Sequence, residues 1–149
     1  VELAEEHGLP AEVIDIIRQH HGTSVVGYFY DKASRKGGPL LEADFRYDGR
    51  RPDTREAALV MIADMAEAGV RSLPKATPAK IEAMIRKMVR GKIDDHQLDE
   101  TQLTIADIET IIKVYTRMLA SVYHPRVEYP EPAEEGEHHA GEHRQPQGA

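Results

Sequence analysis

"DTREAALVMIADMAEAGVRSL", residues 53–73, decides the fold class. It shows none of the strict alternation of a half-buried strand, and its start carries a helix signature. Asp53 or Thr54 can act as N-cap, with Glu56 available for a capping box. The segment is apolar on nearly every face, which predicts a central helix packed all round. Asp64 stands in its middle. The neighbours four and three positions away are Val60, Met61, Glu67 and Ala68, so no basic side chain of the same helix can pair with it. A carboxylate in such a setting costs on the order of several kcal/mol unless a partner comes from elsewhere. A structural salt bridge to an arginine such as Arg18 or Arg46 would serve. So would a metal ion.

The segments on either side repeat the helical logic. "ATPAKIEAMIRKMVRG" places Thr77 as cap, Pro78 at the first position, Ile81, Met84, Ile85, Met88 and Val89 on one face, and Gly91 beyond its end. "LTIADIETIIKVYTRMLASVYH" offers Thr104 and Asp107 as a capping box and a stripe from Ile105 through Ile108, Ile111, Ile112, Tyr115 and Leu119 to Val122. Upstream, Pro10 suits the first turn of a helix whose stripe is Val13, Ile14, Ile16 and Ile17. His20 and His21 continue that stripe toward the packed side, and Gly22 can end the helix in a left-handed turn. Residues 23–53 are irregular apart from "GYFYDKA", which reads as a short helix; a segment of this length with aromatic residues is expected to be functional. The expected class is all-α.

Of the 149 residues none is cysteine, so disulfides and thiolate metal sites are excluded and any metal must be held by His, Asp or Glu. The length suits one folded unit of residues 1–129 and a tail. Residues 130–149 are almost without apolar side chains and are expected to be disordered. The net charge is −7, of which that tail carries −4. Such an acidic chain is a poor partner for long nucleic acid. No run approaches the roughly 20 apolar residues of a membrane span, and no leader opens the chain, so a soluble polypeptide is expected.

His20 and His21 have an ordinary explanation: one core histidine and one surface histidine favoured by the helix C-terminus. They have a chemical one too, since burial keeps imidazole neutral, as a metal ligand must be. "DDHQLDE", residues 94–100, lacks the glycine turn of a calcium loop and reads as a solvated link between helices. "EHHAGEH" in the tail could bind divalent metal only weakly. Glu67 and Arg71 form a helix-surface ion pair at i and i+4.

In chain order, "LAEEHGLPAEVIDIIRQHHGT", "YFYDKA", "DFRYDGRRPDTREAALVMIADMAEAGVRSL", "TPAKIEAMIRKMVRGKIDD.QLDETQLTIADIETI" and "YHPRVEYP" resemble the C-terminal half of the cytoplasmic HD domain of bacterial seven-transmembrane HD-domain phosphodiesterases, which hydrolyse cyclic di-AMP. The resemblance runs to about Pro130. It implies an all-helical HD-type phosphohydrolase fold around two divalent metal ions, manganese or iron. Carried over position by position, the family's paired histidines fall on His20 and His21, and the aspartate of its "ADS.EA" helix falls on Asp64. Met65 and Gly69 replace the usual serine and alanine.

The family's His-Asp dipeptide belongs upstream of this stretch and is absent here, so the resemblance implies the second half of a catalytic domain, inactive or nearly so by itself. His7 lies past the family's ligand position and reads as surface. The expected substrate is a cyclic dinucleotide, with Lys32, Arg46 and Tyr47 as weaker candidates for contacting it. The expected partner is the missing upstream half. The domain is expected on the cytoplasmic side, tied to the inner membrane only through its parent protein. The alternatives are a truncated, non-catalytic helical interaction module, and an HD phosphohydrolase acting on another nucleotide.

Overall fold

A computed structural model describes residues 1–123. The expected tail at 130–149, and the end of the expected domain at 129, lie outside the described residues. Helices α1 (Glu2–Glu6), α2 (Ala11–Gln19) and α3 (Gly27–Ser34) precede a 3-10 turn at Glu42–Phe45. Then come three long helices, α4 (Arg55–Arg71), α5 (Pro78–Asp94) and α6 (Ile105–Val122). No strand occurs among the described residues; one isolated bridge pairs Val25 with Arg46.

The core lies between α4, α5 and α6, with α5 packed on both of the others. Helix α5 contributes Ile81, Ile85 and Val89, four residues apart on one face. Helix α4 contributes Ala58, Met61, Ile62, Ala66 and Val70, and α6 contributes Ile111 and Ile112. Gly69 lets the first two helices approach closely: a Cβ there would stand 2.6 Å from the Met84 sulfur and 3.0 Å from that of Met88.

Each long helix starts on a threonine. Thr54 accepts from the Ala57 amide and Thr77 from that of Lys80, while Thr104 and Asp107 form the full reciprocal capping box. Each such cap is worth about 1 kcal/mol. The expected box at Glu56 is absent, because with Thr54 as cap the third helical position is Ala57. Pro10 takes the N-cap of α2 rather than its first turn.

Two expectations about helix surfaces need correction. Helix α4 is not packed all round: Leu59 and Val60 are 36% and 39% exposed. Helix α5 does not stop before Gly91 but runs through it to Asp94. The left-handed residue that ends it is His96 (φ 56°), whose amide bonds to Ile93 O at 2.9 Å while the Gln97 amide bonds to Lys92 O at 2.9 Å. That pair of bonds is a Schellman turn. It tucks Leu98 into the core, so the link 94–100 is anchored rather than freely solvated.

Residues 23–53 are better organised than their composition suggests. Beside the Val25–Arg46 bridge, Val26 N donates to Phe45 O (2.7 Å) and Tyr47 N to Ser24 O (2.9 Å). The strip that follows the histidines is thereby laid along the strip that follows the 3-10 turn.

Candidate metal and phosphodiester site

Helix α2 ends at Gln19, His20 caps it, and Gly22 (φ 60°) turns the chain away with its amide on Gln19 O at 2.8 Å. Both rings are thus held at a helix C-terminus, where the exposed carbonyls favour a cation nearby. The His20 Nδ1 lies 2.9 Å from Ile17 O. A carbonyl only accepts, so that nitrogen carries a proton, which in the neutral tautomer leaves the lone pair on Nε2. The two imidazoles lie against each other with centroids 4.0 Å apart.

His21 is sandwiched further: Tyr47 stacks on it at 4.4 Å with the planes 13° apart. Burial holds its imidazole below the ordinary value of 6.5, helped by His20 and Lys92 and opposed by Asp64. At neutral pH His21 therefore carries a lone pair rather than a positive charge. Its Nδ1 is 3.8 Å from Asp64 Oδ2, near enough to share a field and too far for a hydrogen bond.

Asp64 pairs with neither Arg18 nor Arg46. Arg18 is bound to Glu5 (2.5 Å), and Arg46 to Asp95 (2.7 Å) and Glu42 (2.6 Å). Nor is Asp64 in a dry interior. Its side chain is 53% exposed and that of His21 is 42% exposed. The reason lies in helix geometry: Asp64 is two residues from both Ile62 and Ala66, and two residues turn a helix by about 200°, so it faces away from the core stripe of Ala58, Ile62, Ala66 and Val70. A half-exposed carboxylate does not need the neutralising partner that a buried one would.

Of the three expected ligands, the fold brings His21 and Asp64 face to face from α2 and α4, and sets His20 beside His21 with Nδ1 already engaged. No group of three or more His, Cys, Asp or Glu side chains is placed to hold a metal ion among the described residues. The donor chemistry fits one side of a divalent ion, a neutral imidazole and a carboxylate both open to solvent, and further ligands would have to complete the shell.

The substrate candidates separate. Tyr47 lines a cleft of about 480 Å³ together with His21, Gly22, Arg18 and Arg50. Arg46 is committed to Asp95, Glu42 and the Thr23 carbonyl. Lys32 lies on α3 in a separate groove with Tyr28, Asp31 and Arg35. His7 is exposed, as expected. Two residues escaped the sequence reading. Lys92 donates from Nζ to Ser24 Oγ at 2.5 Å, and Gln97 is wholly buried against Thr23. The signal for the second was Leu98, the one apolar residue of 94–100, which marks that link as a core anchor.

No family model matches the chain. Over 129 residues it is 40% identical to the cyclic-di-AMP phosphodiesterase PgpH of Bacillus subtilis (strain 168), covering 87% of this chain and 18% of that protein. To the protein of the same name from Listeria monocytogenes it is 39% identical over 130 residues, with the same coverage. The crystal structure of the L. monocytogenes PgpH HD domain in complex with cyclic-di-AMP superposes with a TM-score of 0.78 at 39% identity, covering 86% of this chain and 60% of that one. The chain is similar to part of the PgpH HD domain. A second crystal structure of the L. monocytogenes PgpH HD domain matches as well, with a TM-score of 0.75. The chain spans under a fifth of the length of its curated PgpH relatives and about three fifths of the solved PgpH HD domain. Among the described residues no helix is long and apolar enough to cross a membrane.

Proposed function

We propose that these residues are part of a metal-dependent HD-domain phosphodiesterase that hydrolyses cyclic di-AMP. The observation that carries this reading is the match, at 39% identity, to an HD domain solved with that nucleotide. His20, His21 and Asp64 would supply one side of a centre for two divalent ions, manganese or iron. Metal ions, when bound, bring the acidity that makes water a nucleophile at neutral pH and the positive charge that meets a phosphodiester.

The chain's own residues do the positioning. His21 presents a neutral ring whose plane is fixed by Tyr47, and Asp64 supplies the anionic charge opposite. Arg50, 59% exposed and with carboxylates no nearer than 3.7 Å, lines the same cleft and offers positive charge to an anionic substrate, while Arg18 is held by Glu5 and Arg46 serves the fold. The remaining ligands come from the part of the HD domain that these residues do not span.

A chimera tests this: residues 1–123 replace the matching segment of the L. monocytogenes HD domain, and linear dinucleotide is measured after adding Mn2+ and cyclic di-AMP. The expected result is hydrolysis by the chimera, none by the 149-residue chain alone, and a loss of roughly 100-fold or more for His21→Ala or Asp64→Ala, the scale on which an essential metal ligand acts. Full activity in both variants would remove His21 and Asp64 from the centre, and faster turnover of cyclic di-GMP would change the substrate.

A further inference from the structure

We infer that Gln97, in the link after α5, is a positioning residue for the His20–His21 pair, acting through Thr23. Its functional meaning rests on the reading of those histidines as metal ligands; its geometry stands apart from that reading. The Gln97 side chain is 0% exposed. Its Oε1 accepts the Thr23 amide at 2.9 Å, and its Nε2 donates to Thr23 Oγ1 at 3.0 Å and to Asp95 O at 3.1 Å. The contact spans 74 positions of sequence.

Gly22, which separates Thr23 from His21, is shaped to this contact. A Cβ on Gly22 would lie 2.3 Å from Gln97 Oε1, so the glutamine carboxamide occupies the space that any side chain at position 22 would need. The grip continues past Thr23. Its carbonyl accepts from Arg46 at 2.8 Å, and Ser24 Oγ accepts from Lys92 at 2.5 Å. Gln97 is itself fixed, by the Schellman turn that ends α5 and by Leu98 in the core. Helix α5, which packs on both α4 and α6, thus reaches the two imidazoles through a short rigid path. Groups bonded directly to metal ligands typically change metal affinity roughly 10–100-fold when removed, and Gln97, one contact further out, is expected at the lower end of that range.

A purely structural glutamine would lower stability on removal and leave the histidine rings unmoved in the folded protein. Side-chain 1H–15N spectra of the full 149-residue chain separate the two roles, comparing wild type, Gln97→Ala and the core control Ile85→Val, first metal-free and then during Mn2+ titration. The expected result is displaced His21 ring signals in Gln97→Ala, unchanged signals in Ile85→Val, and about 10-fold more Mn2+ needed in Gln97→Ala to broaden them by half. Should Gln97→Ala not fold, Thr23→Val removes only the hydroxyl partner and is expected to displace the same signals by less. His21 signals that coincide with wild type in the folded variant would overturn the inference. If Mn2+ broadens nothing in the wild type, this side of the centre holds no metal without the remaining ligands, and the metal-free comparison alone decides the role of Gln97.

Discussion

The His21 Nδ1 stands 3.8 Å from Asp64 Oδ2, across the groove between α2 and α4. The pair lies within easy Coulomb reach and outside hydrogen-bond range, so each group feels the other without being locked to it.

That arrangement predicts an unusual histidine titration. Burial, His20 and Lys92 together outweigh Asp64 and hold His21 below 6.5. A pH titration followed by side-chain NMR should give a His21 midpoint below that value, lower still in Asp64→Asn and higher in Lys92→Met. Because folding favours the neutral ring, the stability linked to His21 is fully present above pH 6.5 and is lost as pH falls from there toward the depressed folded value. A midpoint at or above 6.5 would mean that Asp64 dominates.

Asp64 itself should matter little to folding. Its side chain is half exposed and holds no hydrogen bond at that distance, so Asp64→Ala should change unfolding free energy by no more than about 0.5 kcal/mol. Urea denaturation checks this. A loss of roughly 2 kcal/mol or more would restore a structural ion pair as the reason for this residue.

Much of the architecture was legible because its signals are local. Thr77 followed by Pro78, and Thr104 followed by Asp107, announce helix starts through bonds that close within four residues. The histidines and Gly22 were likewise read correctly as a helix end. What the periodicity could not convey was which side of α4 meets α5 and α6. The helix is apolar enough that Asp64 read as buried, whereas Leu59, Val60 and Asp64 all fall outside the packed stripe. Gln97 was legible only in part: Leu98 marks its link as anchored, but its partner is 74 residues away, and nothing in the local pattern of an acidic link names Thr23. Gly91 misled because a glycine suggests a helix end, while the turn is closed downstream by His96 and Gln97.

Gly22→Ala should be among the more damaging single-methyl changes in the described residues. The left-handed backbone alone costs a non-glycine residue about 1–2 kcal/mol. The added carbon also displaces Gln97, and a buried carboxamide without partners costs about 1–3 kcal/mol. Gly8→Ala is the comparison, since Gly8 is left-handed too (φ 63°) but meets no atom within 4 Å. Denaturation should show Gly22→Ala losing clearly more than Gly8→Ala. Equal losses would show that the space beside Gln97 can be surrendered without cost.

Arg46 offers the sharpest division between holding the fold and holding a substrate. It donates to both carboxylate oxygens of Asp95, at 2.7 and 3.2 Å, and to the Thr23 carbonyl. Hydrogen bonding from the Arg46 guanidinium keeps Asp95 below its ordinary value of 3.8. The stability linked to Asp95 is therefore present above pH 3.8 and is lost as pH falls through the depressed folded value. Arg46→Met should cost about 1.5–3 kcal/mol at pH 7, the range for hydrogen bonds to charged groups, and the gap to wild type should narrow in acid as Asp95 protonates. In the chimeric enzyme the same substitution should lower the fraction folded while leaving KM for cyclic di-AMP within about twofold, because a removed group that never met substrate changes no binding energy. A KM raised tenfold in a fully folded variant would return Arg46 to the list of phosphate contacts.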